Sequence, residues 1–281
     1  MIYIVIAYFG KFPNYFQLYL DSLGINNDIL HVIFMTDIDY SSYTLPPNVS
    51  FIDMSIQDVR LRAKKFLYDI YSVEVDENEL IKRNYKLCDY KIIYHCLFED
   101  KLTLTKDDYI GWGDCDLIYG KLSNFLDLKE NYDFMGQQGH FTVFKCIEDY
   151  KILYKNIPNL NKLLIDDIHY ATDEKQYRDE LLLFIEKHKL KIFKMHNYFC
   201  DIKPWQWMPN LSKELTMAGC PDRIIKYIVF FKHVQKLFAV YVDGTCIEVS
   251  YAHLQKREMN IRFEKYNNIF YIKKESFELT V

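Results

Sequence analysis

Four short apolar runs, residues 3–7, 31–35, 49–54 and 109–112, do most to limit what this chain can fold into. They are too short for buried helices and rich in Ile, Val, Phe and Tyr. That pattern predicts strands buried on both faces, as in a parallel sheet. Between them lie stretches with helical spacing. Residues 16–23 place Phe16, Leu20 and Leu23 on one side, and residues 55–71 and 85–98 each carry an apolar stripe. The order β-α-β-β-α-α-β predicts an α/β fold, an open and mostly parallel sheet with helices on both faces.

The second half reads as strand, loop, strand over residues 133–144 and helices over 147–164 and 177–188. A loop at residues 204–209 is pinned by Pro204 and Pro209 and holds Trp205 and Trp207. Strands at 238–242 and 245–249 flank Asp243-Gly244, a hairpin signal. No repeat or linker interrupts the chain, so one domain over residues 1–281 is expected. Half of the residues are hydrophobic, which is ample for its core.

In open α/β sheets ligands collect beyond the carboxyl ends of the strands. Ala7-Tyr8-Phe9-Gly10, Thr36-Asp37 and Asp114-Cys115-Asp116 all fall at such ends. Asp114 and Asp116 are two apart, so on a strand they share a face and can reach one hard cation. Carboxylate oxygens suit Mg²⁺ or Mn²⁺. Trp112 and Leu117 frame them, and burying two such acids without a cation would be costly. The competing reading is a solvated turn.

Late in the chain, His253-Leu254-Gln255-Lys256-Arg257 puts two cations three and four residues after a histidine. Neutral imidazole can complete a metal's coordination. The cations suit charge on a departing diphosphate. A strand-end histidine with a solvated basic pair is the alternative. Lys86 and Asp89, with Lys91 nearby, are spaced to share a helix face, either at a site or as a surface ion pair.

A net charge of −4 argues against bulk affinity for nucleic acid. Seven scattered cysteines, an odd number without a Cys-x-x-Cys pair, imply neither a zinc site nor a disulfide framework and point to the cytoplasm. The apolar start is too short for a signal peptide, and no run approaches the roughly 18 residues of a membrane span. Residues 224–242 come nearest and are interrupted by Lys226, Lys232, His233 and Lys236.

Several segments follow one another as an ordered set. They are Tyr8-Phe9-Gly10-Lys11-Phe12-Pro13-Asn14-Tyr15-Phe16, Tyr85-Lys86-Leu87-Cys88-Asp89-Tyr90-Lys91, and Trp112-Gly113-Asp114-Cys115-Asp116-Leu117-Ile118-Tyr119-Gly120. Gly139-His140-Phe141-Thr142, Asp173-Glu174 and the His253 segment follow them. The set resembles glycosyltransferase-like proteins of bacterial and viral capsule and lipopolysaccharide assembly. More distantly it is similar to retaining galactosyl- and glucosyltransferases of the lipopolysaccharide and glycogenin type. The resemblance implies a GT-A-like (Rossmann-like) open mixed sheet. Residues 1–125 would be its nucleotide-sugar half and residues 126–281 its acceptor half. It departs in Leu254-Gln255, which lack the glycine often found after the late histidine, and in Lys121, where the closer family would carry an acid.

By the resemblance, Asp114, Asp116 and His253 hold Mn²⁺ or Mg²⁺. Lys256 and Arg257 meet the donor diphosphate. Ala7, Tyr8 and Phe9 line the base pocket, and Asp37, Lys86 and Asp89 contact the donor, a UDP-sugar by preference. His140 hydrogen-bonds sugar hydroxyls. Asp173 and Glu174 either remove the acceptor proton, in an inverting enzyme, or bind the transferred sugar, in a retaining one. The acceptor would be a glycan or lipid-linked saccharide, which leaves peripheral membrane contact open. Two other classes stay in view: a metal-dependent nucleotidyl- or phosphotransferase and a non-catalytic sugar-binding protein. The chain holds no Gly-rich phosphate loop, which counts against P-loop versions of the former.

Overall fold

The computed structural model describes residues 1–202, 215–217, 220–255 and 258–280. The four apolar runs form strands β1 (Ile2–Ala7), β2 (Leu30–Thr36), β3 (Val49–Asp53) and β4 (Tyr109–Gly113). β1 pairs in parallel with both β2 and β4, and β2 with β3. Their side chains alternate between two cores. Ile2, Ile4 and Ile6 enter one with Val32 and Phe34; Val5 and Ala7 enter the other with Ile33, Met35, Ile110 and Trp112. Burial on both faces is why these runs read as continuously apolar.

Helices cover the two faces as expected. Helix Phe16–Gly24 packs Phe16, Leu20 and Leu23 into the first core. Helix Ile56–Tyr71 packs Val59, Ala63, Phe66 and Leu67 into the second. A capping box starts it: Ser55 Oγ accepts from the Asp58 amide at 3.2 Å, and Asp58 accepts from the Ser55 amide at 2.8 Å.

After β5 (Leu117–Tyr119), β6 (Phe134–Gln138) and β7 (Phe141–Lys145), the chain forms β8 (Ile192–Lys194), which residue patterning did not signal. The first sheet runs β3-β2-β1-β4-β7-β6-β8. β7 is antiparallel to both its neighbours, and β8 is parallel to β6. The sheet is therefore mixed, with one reversed strand. Because β6, β7 and β8 complete it, residue 125 is not a structural boundary.

A second sheet takes β9 (Phe199–Ile202), β10 (Leu215–Met217), β11 (Cys220–Phe231), β12 (Lys236–Tyr241), β13 (Cys246–Glu248), β14 (Tyr251–His253), β15 (Asn260–Ile261), β16 (Ile269–Ile272) and β17 (Ser276–Glu278). Its order is β15-β17-β16-β11-β10-β9-β14-β5, with β12 on β11 and β13 on β12. Sequence reading anticipated the β12–β13 hairpin and a mix of strand-like and polar segments from residue 261 on, where β16 and β17 form. There Asp243 accepts from the Thr245 amide at 2.8 Å and Gly244 takes φ +86°. The most apolar stretch becomes strands β11 and β12, which pair antiparallel. Among the described residues, no helix is long and apolar enough to cross a membrane. One core joins Phe16 and Phe34 of the first layer to Ile228, Phe230 and Phe270 of the second, so the two sheets form a single α/β domain.

Two expected helices differ. Residues 85–98 form a 3-10 run, Asn84–Ile93, followed by the short helix Tyr94–Leu97. Three residues per turn aligns Lys86 directly with Asp89, and that pair is buried. Residues 147–164 break into Glu148–Lys151, Leu153–Asn156 and Leu160–Ile165. Ile157 is held extended before Pro158, as a residue preceding proline must be.

Candidate metal centre and adjoining pocket

The chain runs from β1 to β2 and β3 on one side, then returns to β4 on the other side of β1. The crevice between the ends of β1 and β4 is thus a topological switch point, where open α/β sheets bind ligands. Ala7 ends one strand and Gly113-Asp114 the other.

The acids then meet a residue from the far end of the chain. β5, immediately after Asp116, pairs antiparallel with β14, setting Leu117 opposite His253. The Leu254 amide donates to the Asp116 carbonyl at 2.8 Å. Asp114, Asp116 and His253 consequently each offer a ligand atom, all within 4.8 Å of one another. His253 Nε2 lies 3.6 Å from Asp116 Oδ2. Asp116 is 1 % exposed.

β7 brings the next residue. The Asp114 amide donates to the His140 carbonyl at 3.2 Å, and the His140 ring stacks on His253 with centroids 4.0 Å apart. His140 Nε2 is 3.1 Å from the Tyr251 hydroxyl. Burial, reinforced by the neighbouring His253, holds its pKa well below the ordinary value, so it is neutral. Burial opposes charge on His253 too, but Asp116 and Asp201 outweigh it and lift its pKa to about 10.

Lys91 ties the site together. Its buried Nζ sits 2.8 Å from Asp114 Oδ1, 2.9 Å from Asp173 Oδ2 and 2.8 Å from the Gly139 carbonyl. Burial disfavours its charge, but Asp114 and Asp173 keep it protonated. Gly139 leaves room here for two acidic side chains. A Cβ would come within 2.6 Å of Glu174 Cγ and 2.8 Å of Asp173 Oδ2. The space over Gly139 therefore belongs to these two acids. Burial raises the Asp173 pKa against the pull of Lys91.

Beside this cluster is a cavity of about 160 Å³. Ala7, Tyr8, Phe9, Tyr85, Lys91 and Asp114 are among its walls. Tyr8 stacks on Phe12 at 5.5 Å, and Asn84 Nδ2 holds the Phe9 carbonyl at 3.0 Å. The volume is below the roughly 300 Å³ of pockets that enclose drug-sized ligands, so it suits one ring of a larger molecule.

Of the residues singled out from sequence, the fold brings together Asp114, Asp116, His253 and His140, with Asp173 joined through Lys91 and Glu174 beside it over Gly139. Ala7, Tyr8 and Phe9 line the adjoining cavity. Lys86 and Asp89 do not line it. Lys86 Nζ bonds Asp89 at 2.9 Å and the carbonyls of Leu163 and Ile168 at 2.6 Å each. Asp89 accepts from the amides of Tyr170 and Thr172 and from the Thr172 hydroxyl. The pair anchors the loop before Asp173 and is buried, not superficial. Asp37 is exposed at the end of β2 and is not a cavity wall. Lys256, Arg257, Trp205 and Trp207 lie outside the described residues.

Asp201 was missed. It reaches His253 because β9 and β14 are parallel neighbours that set Asp201 opposite His253. Its Oδ1 is 3.3 Å from His253 Nδ1. Burial works against its charge, but His253 and Gln255 hold its carboxyl below the ordinary range. No local pattern marks it, since the pairing joins segments some fifty residues apart.

Two carboxylates and an imidazole form a donor set that fits Mn²⁺ or, less well, Mg²⁺. The acids come from one loop and the imidazole from another sheet, so the set is a product of the fold and not of a local acidic run.

The sequence pattern of one protein family matches residues 4–280. The chain belongs to DUF6625, a family of unknown function. The match spans both sheets and takes in every residue of the cluster, so the candidate metal centre lies within the family's own extent. A comparison with curated proteins gave no match.

Proposed function

We propose that this protein is a metal-dependent glycosyltransferase of the GT-A type. It would move a sugar from a nucleotide-sugar, preferentially a UDP-sugar, to a glycan or lipid-linked saccharide in surface polysaccharide assembly. The observation that supports this best is the convergence of Asp114, Asp116 and His253 at the switch point, beside an aromatic-walled cavity. A base in that cavity, between Tyr8, Phe9 and Tyr85, would leave its phosphates near Asp114.

When bound, a divalent cation at these three residues would supply positive charge to the departing diphosphate. The protein's own groups do the rest. Lys91 fixes Asp114 and Asp173 relative to each other across the donor and acceptor sides. Asp173 is committed to that ion pair, which suits it to accept hydrogen bonds from sugar hydroxyls. Glu174 is the better proton acceptor for an attacking hydroxyl. Partial burial and then Asp173 raise its pKa above the ordinary value, which brings a base closer to its working range. Lys256 and Arg257 follow His253 closely enough in sequence to serve the diphosphate.

Calorimetric titration of UDP and GDP, each with and without Mn²⁺, tests the reading on wild type and Asp116→Ala. One nucleotide should bind only with Mn²⁺, and Asp116→Ala should abolish it. Absence of binding by either nucleotide under both conditions defeats the proposal. With a nucleotide-sugar as substrate, transfer of a phosphoryl or nucleotidyl group in place of the sugar would defeat it equally.

A further inference from the structure

His253 is held from three sides. Nε2 faces Asp116 at 3.6 Å, Nδ1 faces Asp201 at 3.3 Å, and the His140 ring covers one face. A carboxylate can only accept, so each ring nitrogen carries hydrogen toward its own carboxylate, Nδ1 toward Asp201 and Nε2 toward Asp116. A cation held by Asp114 and Asp116 would take the place of the Nε2 proton, while Asp201, outside that ligand set, keeps its hydrogen bond from Nδ1. The Gln255 side chain supports Asp201 from behind: its Nε2 donates to Asp201 Oδ1 at 2.7 Å. That amide also lies 3.3 Å from Nδ1, but its shorter bond is to the carboxylate. Gln255 reaches this position with φ +58°, in the left-handed region that residues other than glycine rarely adopt. Such strain persists where surrounding structure imposes it, commonly at functional sites.

We infer that Asp201 and Gln255 are positioning residues that orient His253 so that Nε2 is the metal-ligating atom. The inference rests on the metal-binding reading above. Metal-bound histidines generally donate their second N–H to a carboxylate or carbonyl, and losing that partner typically weakens metal affinity about 10- to 100-fold. His253 supplies the nitrogen, Asp201 fixes which one, and Gln255 keeps Asp201 in place.

The test measures Mn²⁺ affinity by calorimetry and metal-coordinated nitrogen by electron spin-echo spectroscopy. Wild type, His253→Ala, Asp201→Leu, Asp201→Asn and Gln255→Ala are compared, with thermal melts as a folding control. Wild type should show a coordinated nitrogen that His253→Ala lacks. Asp201→Leu should lose the nitrogen signal and bind Mn²⁺ about 10- to 100-fold more weakly. Asp201→Asn keeps an acceptor for Nδ1–H, so it should retain the signal at reduced affinity. Gln255→Ala should weaken affinity in the same direction. Wild-type affinity and signal in Asp201→Leu overturn the inference. If that variant does not fold, wild-type affinity in both Asp201→Asn and Gln255→Ala overturns it. Should wild type itself bind no Mn²⁺, the metal-binding reading fails and takes this inference with it. Loss of binding in His253→Ala alone leaves that reading standing and removes only the roles of Asp201 and Gln255.

Discussion

Asp89 shows how a residue chosen for chemistry can be structural. It is 0 % exposed and gathers Lys86, two backbone amides and the Thr172 hydroxyl around one carboxylate. Asp89→Ala would strand a buried ammonium, and breaking such a pair costs about 3–5 kcal/mol. Urea denaturation should show a loss of that size, and a change under about 1 kcal/mol would contradict the role. His95 gives a separate signature. Burial lowers its pKa from 6.5 to about 4, and its Nε2 is 2.7 Å from the Lys151 carbonyl. Below pH 6.5 the unfolded chain takes up a proton here that the folded chain refuses until about pH 4. The stabilising difference is complete above the upper value and is lost on acidification through this window, at about 1.4 kcal/mol per pH unit. His95→Gln should flatten that part of the stability profile. Identical slopes in the two proteins would rule the assignment out.

At the level of elements, local signals and tertiary demands divide clearly. Helix Ile56–Tyr71 begins where its capping box says it should, and both capping bonds are formed. Ser55→Ala should therefore lower stability by about 1 kcal/mol, measured by denaturant melts, and leave metal affinity unchanged. The segment Asn84–Ile93 obeys a different rule. Lys86, Leu87, Asp89, Tyr90, Lys91, Ile92 and Ile93 are all buried, and only Asn84, Tyr85 and the half-buried Cys88 face outward, toward the cavity, so no α-helical stripe forms. Its pitch follows the partners that Lys86, Asp89 and Lys91 must reach. β8, at the edge of its sheet, and β9, between β10 and β14, are likewise short strands, stabilised by the strands they join more than by their own composition.

For the whole molecule, the candidate metal centre is where two sheets meet. β4 delivers Asp114 from the first, and β14 delivers His253 from the second. A cation held there would cross-link the layers and bind the folded state alone. Mass action then predicts stabilisation of about 2.7 kcal/mol when free Mn²⁺ is 100-fold above its dissociation constant. Differential scanning calorimetry should show a rise in Tm with Mn²⁺ that EDTA reverses and Asp116→Ala abolishes. An equal rise in the mutant would place the ion elsewhere.

Much of this was written in the chain. Runs such as Ile2–Ala7 and Tyr109–Gly113 are apolar throughout because both faces are buried, so their strand character is visible without neighbours. Asp114 and Asp116 share the short loop between β4 and β5, so their closeness was visible in the sequence. Partners that depend on register are different. The β5–β14 and β9–β14 pairings put Asp116, His253 and Asp201 side by side, and they join segments far apart in sequence. Lys91 became the hinge of the cluster only when a 3-10 run turned it toward Gly139 and Asp173. Local patterns record burial and spacing, which each residue carries with it. Which distant strand lies alongside, and in what register, is set by the packing of the complete chain, and that packing assembled the site.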